Sequence, residues 1–360
     1  MRIPEAEAMA HAWQLPERSS GAPAPAGIFL TTALPDESTA WSKARRDVGG
    51  LLGRLGYASL PLPSTWRWRE WLRLGDTAQA MLPSGGHVLI EYPFAQRKRS
   101  FLLRLLCRRR GLKLYGLIHD LDSLRNADSS VKREVAILKT FDGLISHSPA
   151  MTRWLREQGV AAPIAELELF DYCAAPGPAW HEGGLDTPLK VACAGNLAPA
   201  KAGFVYDPRL AQLPGVELSL YGPYFEPERM RSPLNCLGVF DPDQPALQAR
   251  CHFGLVWDGD DVDSCDGISG RYMRYNIPHK VSLYLALGLP VVVWREAAAA
   301  SFVQAHRIGL TVGSLRELGA IPARLSSPEY LEMAANAMAL GREVRRGAFL
   351  HRALQALAGA

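Results

Sequence analysis

Asn276, His279 and Lys280 stand close together at the head of one apolar stretch, with Arg271, Arg274 and Tyr275 just before them. The stretch, RYMRYNIPHKVSLYLALGLPVVVW over 271–294, reads as loop, helix, tight turn and buried strand. Asn276 is expected to cap the helix and Pro278 to fit its first turn, where a missing N–H costs nothing. Val281, Leu283, Tyr284, Leu285 and Leu287 make the helix apolar over much of its surface. Gly288 then ends it, and Pro290 opens the β-branched run of a buried parallel strand. A helix N-terminus offers unpaired N–H groups and a partial positive charge, so it attracts anions. Lys280, one turn in, adds a full charge. The arrangement suits a pyrophosphate, and a nucleotide-sugar is a natural bearer of one. On the residues alone a plainer reading stands level with it: a buried helix whose polar start faces water.

A second group of candidates is acidic. The loop DGDDVDSCDGISG over 258–270 carries Asp258 and Asp260, then Asp261 and Asp263, each pair spaced D-x-D. Hard carboxylate oxygens at that spacing can hold Mg²⁺ or Mn²⁺ beside a nucleotide-sugar. Short acidic pairs are also common in glycine-rich loops, and the loop is read as a mobile flap bordering a cleft, with no metal expected. The sequence has no GxxxxGK[ST] loop and no GxGxxG after a strand, which argues against an ATPase or a dinucleotide-dependent dehydrogenase. HExxH and GxSxG are missing too, which argues against zinc proteases and hydrolases.

The elements that must position these residues alternate strand and helix. Segments 27–33, 57–62, 87–93, 113–120, GLISHS and 160–167 read as strands of one half. Segments 189–196, 216–222, 235–240 and 252–257, with the strand after Pro290, make a second half. Such alternation implies parallel, doubly wound sheets, whose ligands sit at the carboxyl ends of strands. His119 and Asp120 occupy that end of a central strand, and His147 and Ser148 that of the next. The expected division is a loose extension over 1–26, a first domain over 27–170, a Pro- and Gly-rich linker over 171–188, a second domain over 189–342 and a final helix over 343–360. A chain of 360 residues fits two domains of this kind.

Four motifs in order carry a resemblance: LIHDLDSLR at 117–125, ACAGNLAPAK at 192–201, GLVWDGD at 254–260 and YNIPHKVSLYLALGLPVVVW at 275–294. Together they resemble the bacterial beta-1,6-galactofuranosyltransferase-like family, which includes glucosyltransferases that extend O-glycans on streptococcal adhesins. The resemblance spans roughly 27–350 and implies a GT-B architecture, two Rossmann-like domains facing across a cleft. It implies transfer of a hexose, galactofuranose or glucose, from a UDP-sugar to a hydroxyl of a glycan acceptor, without a metal or other cofactor. It carries pyrophosphate and ribose binding to Tyr275, Asn276, His279 and Lys280, and cleft positions to Asn196 and Tyr221. A phosphate-binding cation follows the asparagine in that family, which Lys201 or Arg209 can supply here. Asp120 is the first candidate for proton acceptor, with His119 and Asp122 next, and Arg125 can meet an anionic acceptor. A competing reading has Asp120 cap the following turn, as aspartates after strands often do. The last helix resembles the family's terminal helix that returns to the first domain.

Two rivals stand beside the transferase: a catalytically silent nucleotide- or glycan-binding subunit, and a GT-B nucleotide-sugar epimerase. A net charge of +4 is too mild to call for nucleic acid. The N-terminus lacks a continuous apolar core, no segment is suited to span a bilayer, and six cysteines without CxxC spacing suggest a reducing compartment. A cytoplasmic protein is therefore expected. The stretch 97–113 carries Arg97, Lys98, Arg99 and Arg104 with Phe101, Leu102, Leu105 and Leu106 on one face. It is read as a sheet-covering helix with a solvated basic face. A peripheral contact with the inner face of a membrane is the alternative, favoured by a lipid-linked acceptor. Trp66, Trp68 and Trp71 are read as core packing of one helix. Members of the resembled family can assemble, which leaves a homo-oligomer open.

Overall fold

The protein is described here from a computed structural model over residues 25–32, 40–94, 97–175, 184–230 and 234–359. Most of the expected N-terminal extension and the middle of the expected linker lie outside the described residues.

The first half forms a six-stranded parallel sheet in the order β2-β1-β3-β4-β5-β6. Its strands are β1 Gly27–Thr31, β2 Tyr57–Pro61, β3 Gly86–Tyr92, β4 Leu112–Ile118, β5 Gly143–Ser146 and β6 Ile164–Glu166. The central strands are nearly continuous apolar runs because helices cover both faces. Those helices are α1 Ala40–Arg54, α2 Trp68–Met81, α3 Arg97–Arg109, α4 Asp122–Arg125, α5 Val131–Leu138 and α6 Pro149–Glu157.

The second half repeats the plan in the order β12-β11-β10-β7-β8-β9, again all parallel. Its strands are β7 Leu189–Ala194, β8 Val216–Tyr221, β9 Asn235–Cys236, β10 Phe253–Val256, β11 Val291–Trp294 and β12 Gly309–Val312. Its helices are α7 Pro199–Ala202, α8 Gly267–Tyr272, α9 His279–Ala286, α10 Ala299–Ala305, α11 Ile321–Arg324, α12 Ser327–Arg346 and α13 Ala348–Ala358. Strand β12 was not expected from the sequence.

The final helix returns to the first half, where Leu357 packs against Gly143 of β5. It starts at Ala348, not at 343, because α12 runs on to Arg346. Gly347, in the left-handed region at φ 84°, makes the break between them. Gly347 has no side chain to cap α13. Asp171 supplies the cap from the linker, accepting from the Phe349 N–H at 3.2 Å and the Leu350 N–H at 2.8 Å. The near end of the expected linker is therefore a fixed structural joint. One continuous core joins Phe29 and Leu51 of the first half to the second sheet through this helix.

Candidate active site

A cavity of about 500 Å³ lies between the carboxyl ends of the two sheets. On the second-half side, β10 delivers Asp258, α7 delivers Lys201 and α9 delivers Lys280. Lys280 Nζ donates to Asp258 Oδ1 at 2.7 Å and to the Trp257 carbonyl at 3.2 Å. Lys201 Nζ lies 3.1 Å from Asp258 Oδ2. Burial alone would raise the Asp258 pKa, but Lys201 and Lys280 outweigh it and hold it below the usual carboxylate range. Burial likewise disfavours the Lys280 charge, and Asp258 reverses the effect and raises its pKa. Two ammonium groups against one carboxylate leave an excess of positive charge at the cavity wall.

The glycines of this wall are there for space. A Cβ on Gly195 would lie 2.8 Å from Lys280 Cε, and one on Gly222 would lie 1.7 Å from the Gly195 carbonyl oxygen. Gly195 thus lets Lys280 reach Asp258. Asn196 lines the cavity, and its Oδ1 accepts from the Ala198 N–H at 2.8 Å, which shapes the turn carrying Lys201. Arg209 is engaged elsewhere, by Asp207, Asp261 and Asp263, so of the two candidates after Asn196 it is Lys201 that joins Lys280 at this wall.

Asn276 is not the helix cap that the sequence suggested. Helix α9 begins at His279, Pro278 occupies the cap position, and no side chain caps it. The Asn276 Oδ1 is buried without a hydrogen-bond partner, in a residue that lines the cavity. A buried oxygen of this kind is normally satisfied, here by whatever donor the cavity receives.

On the first-half side the cavity is lined by His119, Asp120, Arg125, His147, Phe170 and Tyr172. His119 Nε2 sits 2.7 Å from Glu91 Oε1, and Glu91 Oε2 lies 3.4 Å from Arg45 Nη1. Arg45 is fixed in turn by donating to the Pro93 carbonyl at 2.9 Å. The His119 ring stacks on Phe170 with centroids 4.8 Å apart. Asp120 does not cap the next turn. Its carboxylate is paired with Arg125, and Glu134 of α5 accepts from the Asp122 and Ser123 N–H groups instead.

His147 Nε2 donates to the Ile118 carbonyl at 2.9 Å, while burial pushes its pKa down to about 4. It is a neutral structural ring. His279 is also neutral, its pKa pushed down to about 3 by burial, and it stacks on Tyr172 at 4.8 Å.

Three expected site residues are placed differently. Tyr275 is outside the cavity lining; its ring packs on the first-half core and its carbonyl accepts from Ser148 Oγ at 2.6 Å. Tyr272 lines the cavity in its place, its hydroxyl accepting from the Leu121 N–H across the two halves at 2.9 Å. Asp122 is also outside the lining; its pKa is raised by burial, then by Glu134 and Asp120. Tyr221 does line the cavity, but it is a fully buried strand-end residue whose hydroxyl accepts from the Ala249 N–H.

The acidic loop is fastened down, contrary to a free flap. Val262 and Cys265 are fully buried, Trp257 Nε1 donates to the Asp261 carbonyl, and Asp263 pairs with Arg209 and Arg316.

The comparisons agree with this geometry. Domain descriptions of the glucosyltransferase 3-like family match residues 28–169 (N-terminal domain) and 191–357 (C-terminal domain). The beta-1,6-galactofuranosyltransferase WbbI of Escherichia coli (strain K12) is 33% identical over 256 residues, 71% of this chain and 73% of that protein. The chain belongs to the glucosyltransferase 3-like family of glycosyltransferases. Glucosyltransferase 3 of Streptococcus gordonii is 28% identical over 134 residues, 36% of this chain and 39% of that protein. Among solved structures, Anabaena HepE in complex with UDP covers 92% of this chain and 99% of its own, with a TM-score of 0.58 at 14% identity. Sucrose-phosphate synthase from Thermosynechococcus elongatus superposes over 92% of this chain and 96% of its own, with a TM-score of 0.53 at 14% identity. These likenesses establish the GT-B fold of this glucosyltransferase 3-like protein, and the family establishes a sugar-transferring enzyme.

Glu91 and Asp171 escaped sequence reasoning. Glu91 left one signal, a single acid inside the apolar strand segment HVLIEYP. Asp171 left none, because its partners lie at 349 and 350.

Proposed function

We propose that the enzyme transfers a hexose, galactofuranose or glucose, from a UDP-sugar to a hydroxyl of a glycan acceptor in surface polysaccharide or glycoprotein assembly. The observation that carries the reading is the pair Lys201 and Lys280 gathered on one buried carboxylate beside the start of α9. Fixed cations and a helix N-terminus suit a diphosphate whose charge grows as the sugar leaves. Asn276 Oδ1 is available to a donor group of the nucleotide-sugar. The relatives' names, a galactofuranosyltransferase and a glucosyltransferase, support the two sugars.

For the acceptor, the geometry favours His119 over Asp120 as proton acceptor. Asp120 is neutralised by Arg125, whereas Glu91 orients His119 through Nε2 and leaves Nδ1 without a hydrogen-bond partner among the described residues. Arg125 and Asp120 then line the acceptor side. With Asp258 engaged by two lysines, leaving-group charge is balanced by protein cations, and metal-independent transfer belongs to the same reading. So do cytoplasmic placement, a lipid-linked acceptor with membrane contact through 97–113, and self-association. Among the described residues no helix is long and apolar enough to cross a membrane.

Thermal unfolding against UDP, GDP, ADP, UDP-glucose and both UDP-galactoses, with and without EDTA, tests the donor. A ligand at a hundred times its Kd stabilises by about 2.7 kcal/mol, worth a shift of several degrees at roughly 2–4 °C per kcal/mol. A UDP-specific shift that survives EDTA is expected, and the best sugar then selects the acceptor for product analysis. No shift with any nucleotide overturns the reading.

A further inference from the structure

Helices α2 and α3 lie side by side and parallel over one face of the first sheet. At one end Arg99 donates to the Ser64 carbonyl at 2.6 Å and its guanidinium sits 5.5 Å from the Trp66 ring centre. At the other, Arg110 reaches Asp76 at 2.5 Å. Their inner faces bury Trp71, Leu74, Leu103 and Leu106 in the core. Their outer faces are also apolar. Trp66 is 50% exposed, Trp68 64%, Leu72 40%, Phe101 45% and Leu105 44%. The expectation that the three tryptophans share a core face therefore holds for Trp71 alone. Leaving five large apolar side chains in water on adjoining helix turns costs solubility and marks a contact surface.

The frame around them decides what the contact is. Arg67, Arg69, Arg73, Lys98, Arg108 and Arg109 are all exposed on the same two helices and the turn before α2. Nearby acids are already engaged, Asp76 by Arg110 and Glu70 by Thr65. Pairing this face with a second copy of itself would bring basic rim against basic rim, because a two-fold interface sets each patch on its twin. An anionic phospholipid surface satisfies both parts at once. Tryptophan rings settle at the headgroup level, and each basic side chain near such a surface adds electrostatic attraction.

We propose that the outer face of α2 and α3 docks the protein on an anionic membrane surface. The surface also has a direction. Both helices begin just beyond the carboxyl ends of β2 and β3. Tyr92 at the end of β3 pairs in register with Ile118, next to His119 of the cavity. The exposed tryptophans thus lie toward the end of the sheet from which the cavity opens. This orientation brings the acceptor side toward lipid and points to a lipid-anchored glycan, a corollary that rests on the transferase reading, whereas the docking itself does not.

Flotation of the full chain with phosphatidylcholine vesicles, with and without phosphatidylglycerol, at low and high salt, tests the surface. Anionic vesicles should carry up at least about ten times more protein than neutral ones, and high salt should weaken the binding. Trp68→Ser with Leu72→Ser, and separately Phe101→Glu with Leu105→Glu, should each abolish flotation while unfolding temperature and UDP-induced stabilisation stay unchanged. All four positions are exposed, and the unchanged unfolding temperature separates lost docking from lost fold. No flotation with anionic vesicles, or equal flotation of wild type and both variants, overturns the proposal. So does an oligomer that the Phe101→Glu, Leu105→Glu variant dissolves, since the patch would then meet another copy. Any of these leaves the nucleotide test untouched.

Discussion

Lys280 is held by Asp258 and the Trp257 carbonyl before any ligand arrives, so its ammonium is already desolvated and aimed. Such preorganisation is worth more than a flexible charge would be. Lys280→Ala is expected to lower kcat/KM by about a hundredfold or more and to erase UDP-induced stabilisation, read by initial rates and thermal shift. It also strands Asp258 beside one lysine only. His119 presents a different dependence. Glu91→Gln keeps the size of the side chain and removes the charge that orients the ring. We expect kcat to fall by about tenfold to a hundredfold with UDP affinity intact, as loss of a general-base contribution would. A matched loss in Asp120→Asn but not in Glu91→Gln would return the role to Asp120. Lys280 and His119 were legible in the sequence because each ends a local pattern, a helix start and a strand end. Glu91 and the clamping role of Asp258 were not, because their partners come from other elements, distant in the sequence.

At the level of elements, the buried strands were readable as apolar β-branched runs bounded by turns. Strand β12, Gly309–Val312, was not: it lies at the edge of its sheet, and Leu310 and Thr311 are only partly buried. The misplaced start of the last helix has a clear physical cause. Gly341 looks like a helix stop, but it lies inside α12, where a Cβ would stand 2.0 Å from the Leu285 carbonyl oxygen. Its role is to let α12 approach α9 closely. Glycine to alanine inside a helix normally stabilises by about 1 kcal/mol. Gly341→Ala should do the reverse, lowering the urea midpoint, and because α9 carries Lys280 it should also weaken UDP binding. An unchanged or raised midpoint would show that α9 can yield.

Across the whole molecule, Asp171 ties the linker to the last helix. Burial raises its carboxyl pKa to about 7, although the Leu350 and Phe349 N–H groups oppose the shift. Unfolded aspartates titrate near 3.9, so the folded protein holds this proton more tightly. That favours folding in full below about pH 4, and the advantage is lost as pH rises through about 7. Asp171→Asn keeps an oxygen for one N–H and cannot titrate. Its unfolding free energy should vary less between those pH values than that of the wild type, by an amount on the order of a few kcal/mol. Equal slopes in the two proteins would assign the pH dependence to other groups. The two-domain plan was visible in the sequence, but not the fact that one of the two core clusters runs through both halves.

The returning helix also imposes an order of events on synthesis. The face of the first sheet that receives Leu357 is translated long before residues 348–358 exist. The amino-terminal half therefore leaves the ribosome with the part of that face over β5 and β6 uncovered, and keeps it uncovered while the whole second half is made. Domains usually fold as units in the order they emerge. This one can close only after its partner has been translated, so the time during which it needs protection by chaperones is set by the length of the other domain.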